Sequence, residues 1–458
     1  MRALLISANT ELIPDPVYPI GPAAIGAAAR RAGHQVEAID LCFAEDRRGL
    51  VTDSIRDFAP DVVGVSLRNL DNSAYPENSS YIDDYHSLVS WVRESSAAPL
   101  VLGGAGFTVM PTTILEELGA DYGVVGEGEL AFPWLLGEIE HGREVVENAA
   151  YSCERVNGGI LVSAKARIKS LDVAATPDRD LFDARRYYDR GGCLNVQTKR
   201  GCCFDCIFCS YPLIEGTKVR VRSADQVVDE IESLRADFGV RHVFFVDNIF
   251  NFPLPHAKRI CEEIARRGLD VEWSGYMNPT FVDEELVRLM AASGCKGVEF
   301  GTDSGSATMI ANLHKEFDGE DLHRASRLCH EYGIKFAHSL IFGGPGETAQ
   351  TVDETLALMD QLKPTAVIAF IGIRILPGTG MVDVALRDGQ IDADDNLLHP
   401  KFYVSQSLRD DLIDTIEHHA AGHSNWIVPG KGIRTNIQML QRLRDKKIKG
   451  QLWRLLRA

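Results

Sequence analysis

Residues 194–212 read LNVQTKRGCCFDCIFCSYP. A short apolar run suited to a buried strand leads through a basic-glycine pair, Arg200-Gly201, into Cys202, Cys203, Cys206 and Cys209. The other six cysteines (Cys42, Cys153, Cys193, Cys261, Cys295 and Cys329) are scattered, mostly in apolar segments where a thiol acts as a small hydrophobe. Cys202, Cys206 and Cys209 stand at C-x3-C-x2-C. In an intracellular chain such crowding points to metal rather than crosslinks. A structural zinc site normally takes four ligands, often as two separated C-x2-C pairs, and no second pair exists here. Three soft thiolates on one loop suit a [4Fe–4S] cube whose fourth iron stays open; zinc or simple packing is the competing reading. Cys203 breaks the spacing and reads as a spectator.

Downstream, HVFFVD (242–247), DVEWSGY (270–276), GVEFGTD (297–303), IKFAHSLIFGG (334–344) and AVIAFIGIRILPG (366–378) read as strands separated by helical stretches such as ADQVVDEIESLRADFG (224–239). Five or six strands with crossover helices fit an incomplete TIM-type (β/α)6 barrel with chemistry at the carboxyl ends of its strands. Upstream, RALLIS, VEAIDL, DVVGVS, PLVLGG and DYGVVGEGE alternate with helices such as AAIGAAARRAG (23–33). That alternation is a Rossmann-like, doubly wound parallel sheet binding ligands beyond its strand ends. The loops there, SANTELIPDP, SLRNLDN and GGAGFTVMP, carry the Gly, Asn and Ser of a close-fitting surface. The expected division is therefore a Rossmann domain at 1–140, a linker at 141–190, the barrel at 191–381, and a helical tail at 382–458 whose basic stretch, 442–458, presents a solvated cationic face.

The chain has 458 residues, 45% hydrophobic and 25% charged, as an ordinary globular protein has. A net charge of −17 argues against a general nucleic-acid binder. No stretch approaches the roughly 18 apolar residues of a membrane span, and MRALLISANT lacks the layout of a secretory signal, so a cytoplasmic location is expected.

C-x3-C-x-aromatic-C after Arg200-Gly201 resembles the signature of the radical S-adenosylmethionine (SAM) superfamily, with Phe208 at the aromatic position that in this family packs near the adenine. Further resemblances follow in order: Asp247-Asn248 after VFFV, Glu299 with Asp303 and Ser304, Gly343-Gly344 with Glu347, and Arg374 with Pro377. The resemblance spans about 194–381. It implies that Cys202, Cys206 and Cys209 hold the cluster, that SAM chelates the open iron, and that one electron cleaves SAM to a 5′-deoxyadenosyl radical that abstracts hydrogen from the substrate. It further implies that Gly343 and Gly344 let the backbone approach the methionine, that Glu299 and Ser304 bond the ribose or amino group, and that Arg374 neutralises a carboxylate. Asp247, Glu299, His338 and Tyr211 are the candidate acid–base groups. A small-molecule substrate and a reducing partner such as flavodoxin or ferredoxin are implied.

The N-terminal half resembles the cobalamin-binding domain of class B radical SAM enzymes, which would place Ser66, Gly103, Gly104, Gly106 and Thr108 near a corrin. It departs from the D-x-H-x-x-G pattern: Asp40 is followed by Leu41 and Cys42, so that loop offers cobalt no histidine. Two functions follow. One is cobalamin-dependent C-methylation of a natural-product or lipid precursor. The other is cobalamin-independent radical dehydration or deoxygenation of a vicinal diol in an aminosugar.

Overall fold

A computed structural model describes residues 1–429 and 442–456. The first sheet contains β1 (Arg2–Ser7), β2 (Gln35–Asp40), β3 (Val62–Ser66), β4 (Leu100–Gly103), β5 (Tyr122–Val125), β6 (Tyr151–Val156) and β7 (Gly159–Ala164). Its order is β2-β1-β3-β4-β5-β7-β6, parallel except for β6. Buried on both faces, the inner parallel strands are apolar runs: every residue from Ala3 to Ser7 is buried, whereas the edge strand β2, QVEAID, buries only Val36. Chain direction across the sheet reverses between β1 and β3, and the crevice outside that switch point is where such sheets bind ligands.

The sheet does not stop at residue 140. Residues 151–164, expected in a linker, form a hairpin that pairs with β5 through β7. Asn157 and Gly158, at φ 39 and 135, make the two-residue turn whose positive dihedrals favour that dipeptide.

The second sheet begins with β8 (Leu194–Val196); a ribbon of β9 (Lys199–Arg200) and β10 (Arg220–Val221) then brackets the cysteine loop. β11 (His242–Phe245), β12 (Glu272–Met277), β13 (Cys295–Asp303), β14 (Lys335–Phe342) and β15 (Ala366–Ile371) continue the barrel in sequence order. The expected final strand ends early. Gly372, at φ 72, turns the chain, and β16 (Ile373–Arg374) pairs antiparallel with β17 (Phe402–Tyr403). A two-residue strand, β18 (Trp426–Ile427), closes the edge beside β15. Helices cover the outside. Those at Gly319–Glu331 and Ala349–Leu362 start on reciprocal capping boxes, Asp318 with Asp321 and Thr348 with Thr351.

The basic tail is not a solvated helix face. Arg444 is buried, binding both oxygens of Asp15 and the carbonyls of Ile448 and Gly450, while Trp453 packs on Ala337 and Ala366 at the amino end of the barrel. The stretch 430–441 of the expected helical tail, and residues 457–458, lie outside the described residues.

The two sheets are fastened by buried ion pairs: Arg374 with Asp71, Arg220 with Glu127 and Arg200 with Glu129. Each joins the N-terminal unit to the barrel, so the strand ends of one sheet face the mouth of the other.

Candidate active site between the two sheets

The cysteine loop runs from the end of β9 to a short helix, Tyr211–Glu215. Its base is closed by Cys202 N–H donating to Gly216 O at 3.0 Å, and its tip by Cys209 N–H to Cys206 O at 3.1 Å. Cys202 is buried, Cys206 and Cys209 half-buried, Cys203 exposed, and all four are free thiols. Burial pushes the Cys202, Cys206 and Cys209 thiols up, Cys209 to about 12. Three clustered soft donors that burial disfavours as bare anions fit a cationic cluster that holds them as thiolates.

Asp247 does not face the cavity. Its carboxylate accepts from Thr198 N–H (2.8 Å), Thr198 Oγ1 (2.6 Å) and Lys199 N–H (3.2 Å), clamping the strand that launches the cysteine loop. Glu215 was not singled out from the sequence. It braces the same loop, accepting from Gly201 N–H at 3.0 Å and Gln197 Nε2 at 3.0 Å.

Tyr211 and Tyr276 keep 39% and 38% of their surface free. Burial, then the Glu215 carboxylate, raises the Tyr211 phenol well above its ordinary range, with the Arg68 guanidinium opposing. The Glu299 carboxylate, then burial, does the same to Tyr276, and Arg68 again opposes. Helix Tyr211–Glu215 packs on helix Ala105–Val109 of the first unit, so Tyr211 lies at the cleft between the two units. Tyr276 and Glu299 are register partners on β12 and β13, so both project inward, and Ser339 donates to Glu299 Oε1 at 2.5 Å. Arg68 comes from the loop after β3 in the other unit. The Rossmann unit thus brings a positive charge within electrostatic reach of both phenols. Arg68 and Tyr276 were missed because neither lies in a spaced motif; only strand parity picks out Tyr276.

His338 has the opposite parity. It is fully buried beneath helix Gly319–Glu331, bonded to Thr302 Oγ1 at 2.6 Å and Ser326 Oγ at 3.3 Å, and stacked on Phe300. Desolvation pushes it down to about 3, so it stays neutral. Ser304 is buried against Thr355 Oγ1 at 2.9 Å and accepts from Ser306 N–H. The N–H groups of Gly343 and Gly344 both donate to Glu347 Oε2, the latter at 3.1 Å. Arg374 meets a carboxylate, but it is that of Asp71. Phe208 lies beneath Lys315 Nζ, 5.9 Å from its ring centroid. Lys315, also unforeseen, pairs with Asp303 at 2.6 Å; burial lowers it, but the Asp303 carboxylate outweighs that and keeps it charged.

In the first sheet, Ser66 and Gly103 end β3 and β4, Gly104 follows, and Gly106 lies in the first turn of helix Ala105–Val109. Gly104 is at φ 98, and a Cβ there would fall 2.5 Å from Leu67 O. Thr108 Oγ1 donates to Gly104 O at 2.9 Å and accepts from Gly126 N–H at 3.0 Å, tying the ends of β4 and β5 together. Past β1, the buried Asn9 keeps Nδ2 without a partner among the described residues, at the switch point where a ligand acceptor would meet it. Asp40 accepts from Tyr187 OH at 2.7 Å and Cys42 N–H at 3.1 Å, so the loop in place of D-x-H-x-x-G is filled by the chain's own groups.

Comparison with known proteins agrees with this layout. The Radical SAM superfamily profile matches residues 196–359, and the B12 binding domain profile matches residues 7–136. The chain is a radical SAM protein with a B12-binding domain. Tryptophan 2-C-methyltransferase of Streptomyces laurentii is 29% identical over 444 residues, covering 81% of this chain and 73% of the relative. Cytidylyl-2-hydroxyethylphosphonate methyltransferase of Streptomyces wedmorensis is 25% identical, covering 86% and 84%. The radical SAM methyltransferase TsrM from Kitasatospora setae, solved with cobalamin and a [4Fe–4S] cluster bound, superposes with a TM-score of 0.85 at 26% identity over 99% of this chain and 96% of that one. The cobalamin-dependent radical SAM enzyme OxsB shares the fold at 16% identity, TM-score 0.72, over 88% and 64%. This radical SAM protein therefore shares the layout of cobalamin-dependent radical SAM methyltransferases, and its two domains imply a [4Fe–4S] cluster, SAM and cobalamin as its cofactors. No helix among the described residues is long and apolar enough to cross a membrane.

Proposed function

We propose that this protein methylates an unactivated carbon of a small natural-product or lipid precursor, using cobalamin as methyl carrier. The observation that carries the reading is the juxtaposition of the two units: helix Ala105–Val109 of the B12-binding unit packs on helix Tyr211–Glu215 beside the cysteine loop, and the pairs Arg374–Asp71, Arg220–Glu127 and Arg200–Glu129 join the two. When bound, the cluster with SAM supplies hydrogen abstraction and the corrin supplies the methyl group. The chain's residues do the rest. Cys202, Cys206 and Cys209 hold the cluster, and Glu215 and Asp247 hold the loop that carries them. Glu299, fixed by Ser339, accepts a hydrogen bond from an N–H or O–H of the substrate and so sets which carbon is presented. The ion pairs between the sheets keep bulk water and stray hydrogen donors out. A flavodoxin or ferredoxin supplies the electron.

Less supports the dehydration alternative. Of its four acid–base candidates, His338 is enclosed under a helix and the Asp247 carboxylate is occupied by Thr198 and Lys199. The test is anaerobic reconstitution with iron, sulfide and hydroxocobalamin, followed by absorption spectroscopy and turnover with methyl-deuterated SAM. The corrin band should remain after desalting and label should appear in product. Protein that holds no corrin under any reconstitution sinks the reading.

A further inference from the structure

We propose that His419, His423 and Asp360 form a zinc site at the amino end of the barrel, away from the cysteine loop. His419 lies in the last turn of helix Leu412–Ala421, His423 in the turn after it, and Asp360 in the last turn of helix Ala349–Leu362. One ligand atom from each lies within 4.8 Å of the other two. Tetrahedral zinc with N and O ligands at about 2.0–2.1 Å needs them about 3.4 Å apart, which small side-chain rotations reach.

The hydrogen bonding prepares both imidazoles as ligands. His423 Nδ1–H donates to His419 O at 2.7 Å, which leaves its Nε2 with a lone pair, 3.5 Å from Asp360 Oδ1. A ring N–H held by a carbonyl is the usual support behind a metal-binding histidine. His419 Nε2 is buried and has no hydrogen-bond partner among the described residues. A buried ring nitrogen left unpaired is costly, and a cation bound in the plane of the ring removes that cost. The rings lie face to face, with centroids 4.1 Å apart and 19° between planes, so ligating one ion requires them to turn until their lone pairs converge.

Two imidazoles and one carboxylate are borderline donors that suit zinc better than magnesium or calcium, and water completes the shell. The site's surroundings indicate its role. Trp426 of β18 packs edge-on to His419, with centroids 4.6 Å apart, and pairs with Val367 at the start of β15. Asn425 Nδ2 donates to Pro364 O at 3.0 Å. Zinc here would pin the short β18 and the helix before it to the final helix–strand unit of the barrel. The cysteine loop lies at the opposite, carboxyl end of the strands.

The test uses the iron-loaded holoenzyme, so that the cysteine loop is filled, exposed to zinc and then desalted. Metal analysis should find about one zinc per chain, and zinc K-edge absorption should show a first shell of N and O with imidazole outer-shell scattering and no sulfur. H423Q and D360N, both at partly exposed side chains, should lose the zinc while keeping iron content and circular dichroism unchanged. Three results overturn the proposal: wild type that retains no zinc, a sulfur-containing shell, or zinc that survives H423Q in folded protein.

Discussion

Arg374 Nε donates to Asp71 Oδ2 at 2.8 Å, joining two nearly fully buried side chains 303 residues apart. The remaining guanidinium bonds go to Ile375 O and Leu397 O, and Asp71 Oδ1 accepts from Ser73. Each of the three guanidinium nitrogens thus has an acceptor within the protein. Arg374 is therefore a fastener between the B12-binding unit and the barrel, and its charge is spent before any cofactor arrives.

Asp71→Ala should destabilise the protein by about 3–5 kcal/mol, because it leaves a buried guanidinium uncompensated. Asp71→Asn, which keeps an acceptor, should cost less. Urea denaturation followed by tryptophan fluorescence measures both. An alanine variant within about 1 kcal/mol of wild type, the range of a surface ion pair, would refute the fastener role.

The cysteine loop makes a prediction that separates neighbours in sequence. Alanine at Cys202, Cys206 or Cys209 should each drop reconstituted iron well below about four per chain, whereas Cys203→Ala should leave it intact. Cys203 is the exposed member of the four. Iron and sulfide analysis with the charge-transfer absorption band decides it. A loss of cluster in Cys203→Ala would mean that the spacing has been misread.

Both sheets and the cysteine loop were legible in the sequence, because each rests on local signals: continuous apolar runs for parallel strands, and fixed spacing for the thiols. The hairpin at 151–164 was signalled too, by Asn157-Gly158, but lay hidden in a stretch of irregular composition. Site residues were harder to read, since a side chain's role depends on which face of a strand it occupies. His338 and Ser339 are adjacent, yet one is sealed under a helix and the other bonds Glu299 on the opposite face of the strand. Nor can a linear reading show that Arg374 meets Asp71, or that Arg444 reaches Asp15 across 429 residues. Such pairs come from topology, which brings distant loops to one rim.

Gly104→Ala should loosen the corrin-side loops. Its positive φ disfavours any side chain, and the added carbon would meet Leu67 O at 2.5 Å, a backbone atom that cannot rotate away. Such strain costs on the order of 1–3 kcal/mol. The expected outcome is a lower Tm together with weaker retention of cobalamin after gel filtration. Gly103→Ala, where the nearest atom is 3.7 Å away, serves as the control and should retain it. Equal retention in both variants would show that the β4 turn does not shape the cofactor cradle.

Glu347 should give the protein a measurable pH slope. Burial raises its pKa from 4.5 to about 7, against the opposing bonds from Gly343 and Gly344 N–H. The folded state therefore binds a proton that the unfolded chain has already released between those two values. By linkage, its contribution to stability is fully present below pH 4.5, shrinks as pH rises through the folded value, and amounts to a loss of roughly 3 kcal/mol above it. Glu347→Gln mimics the protonated form, keeping an acceptor for the two glycine N–H groups and placing an amide where Oε1 has no partner among the described residues. Relative to wild type, this variant should gain stability from pH 5 to about pH 7 and level off above it, read from urea midpoints at constant ionic strength. A difference that stays flat across that range would show that the carboxyl titrates normally in the folded protein.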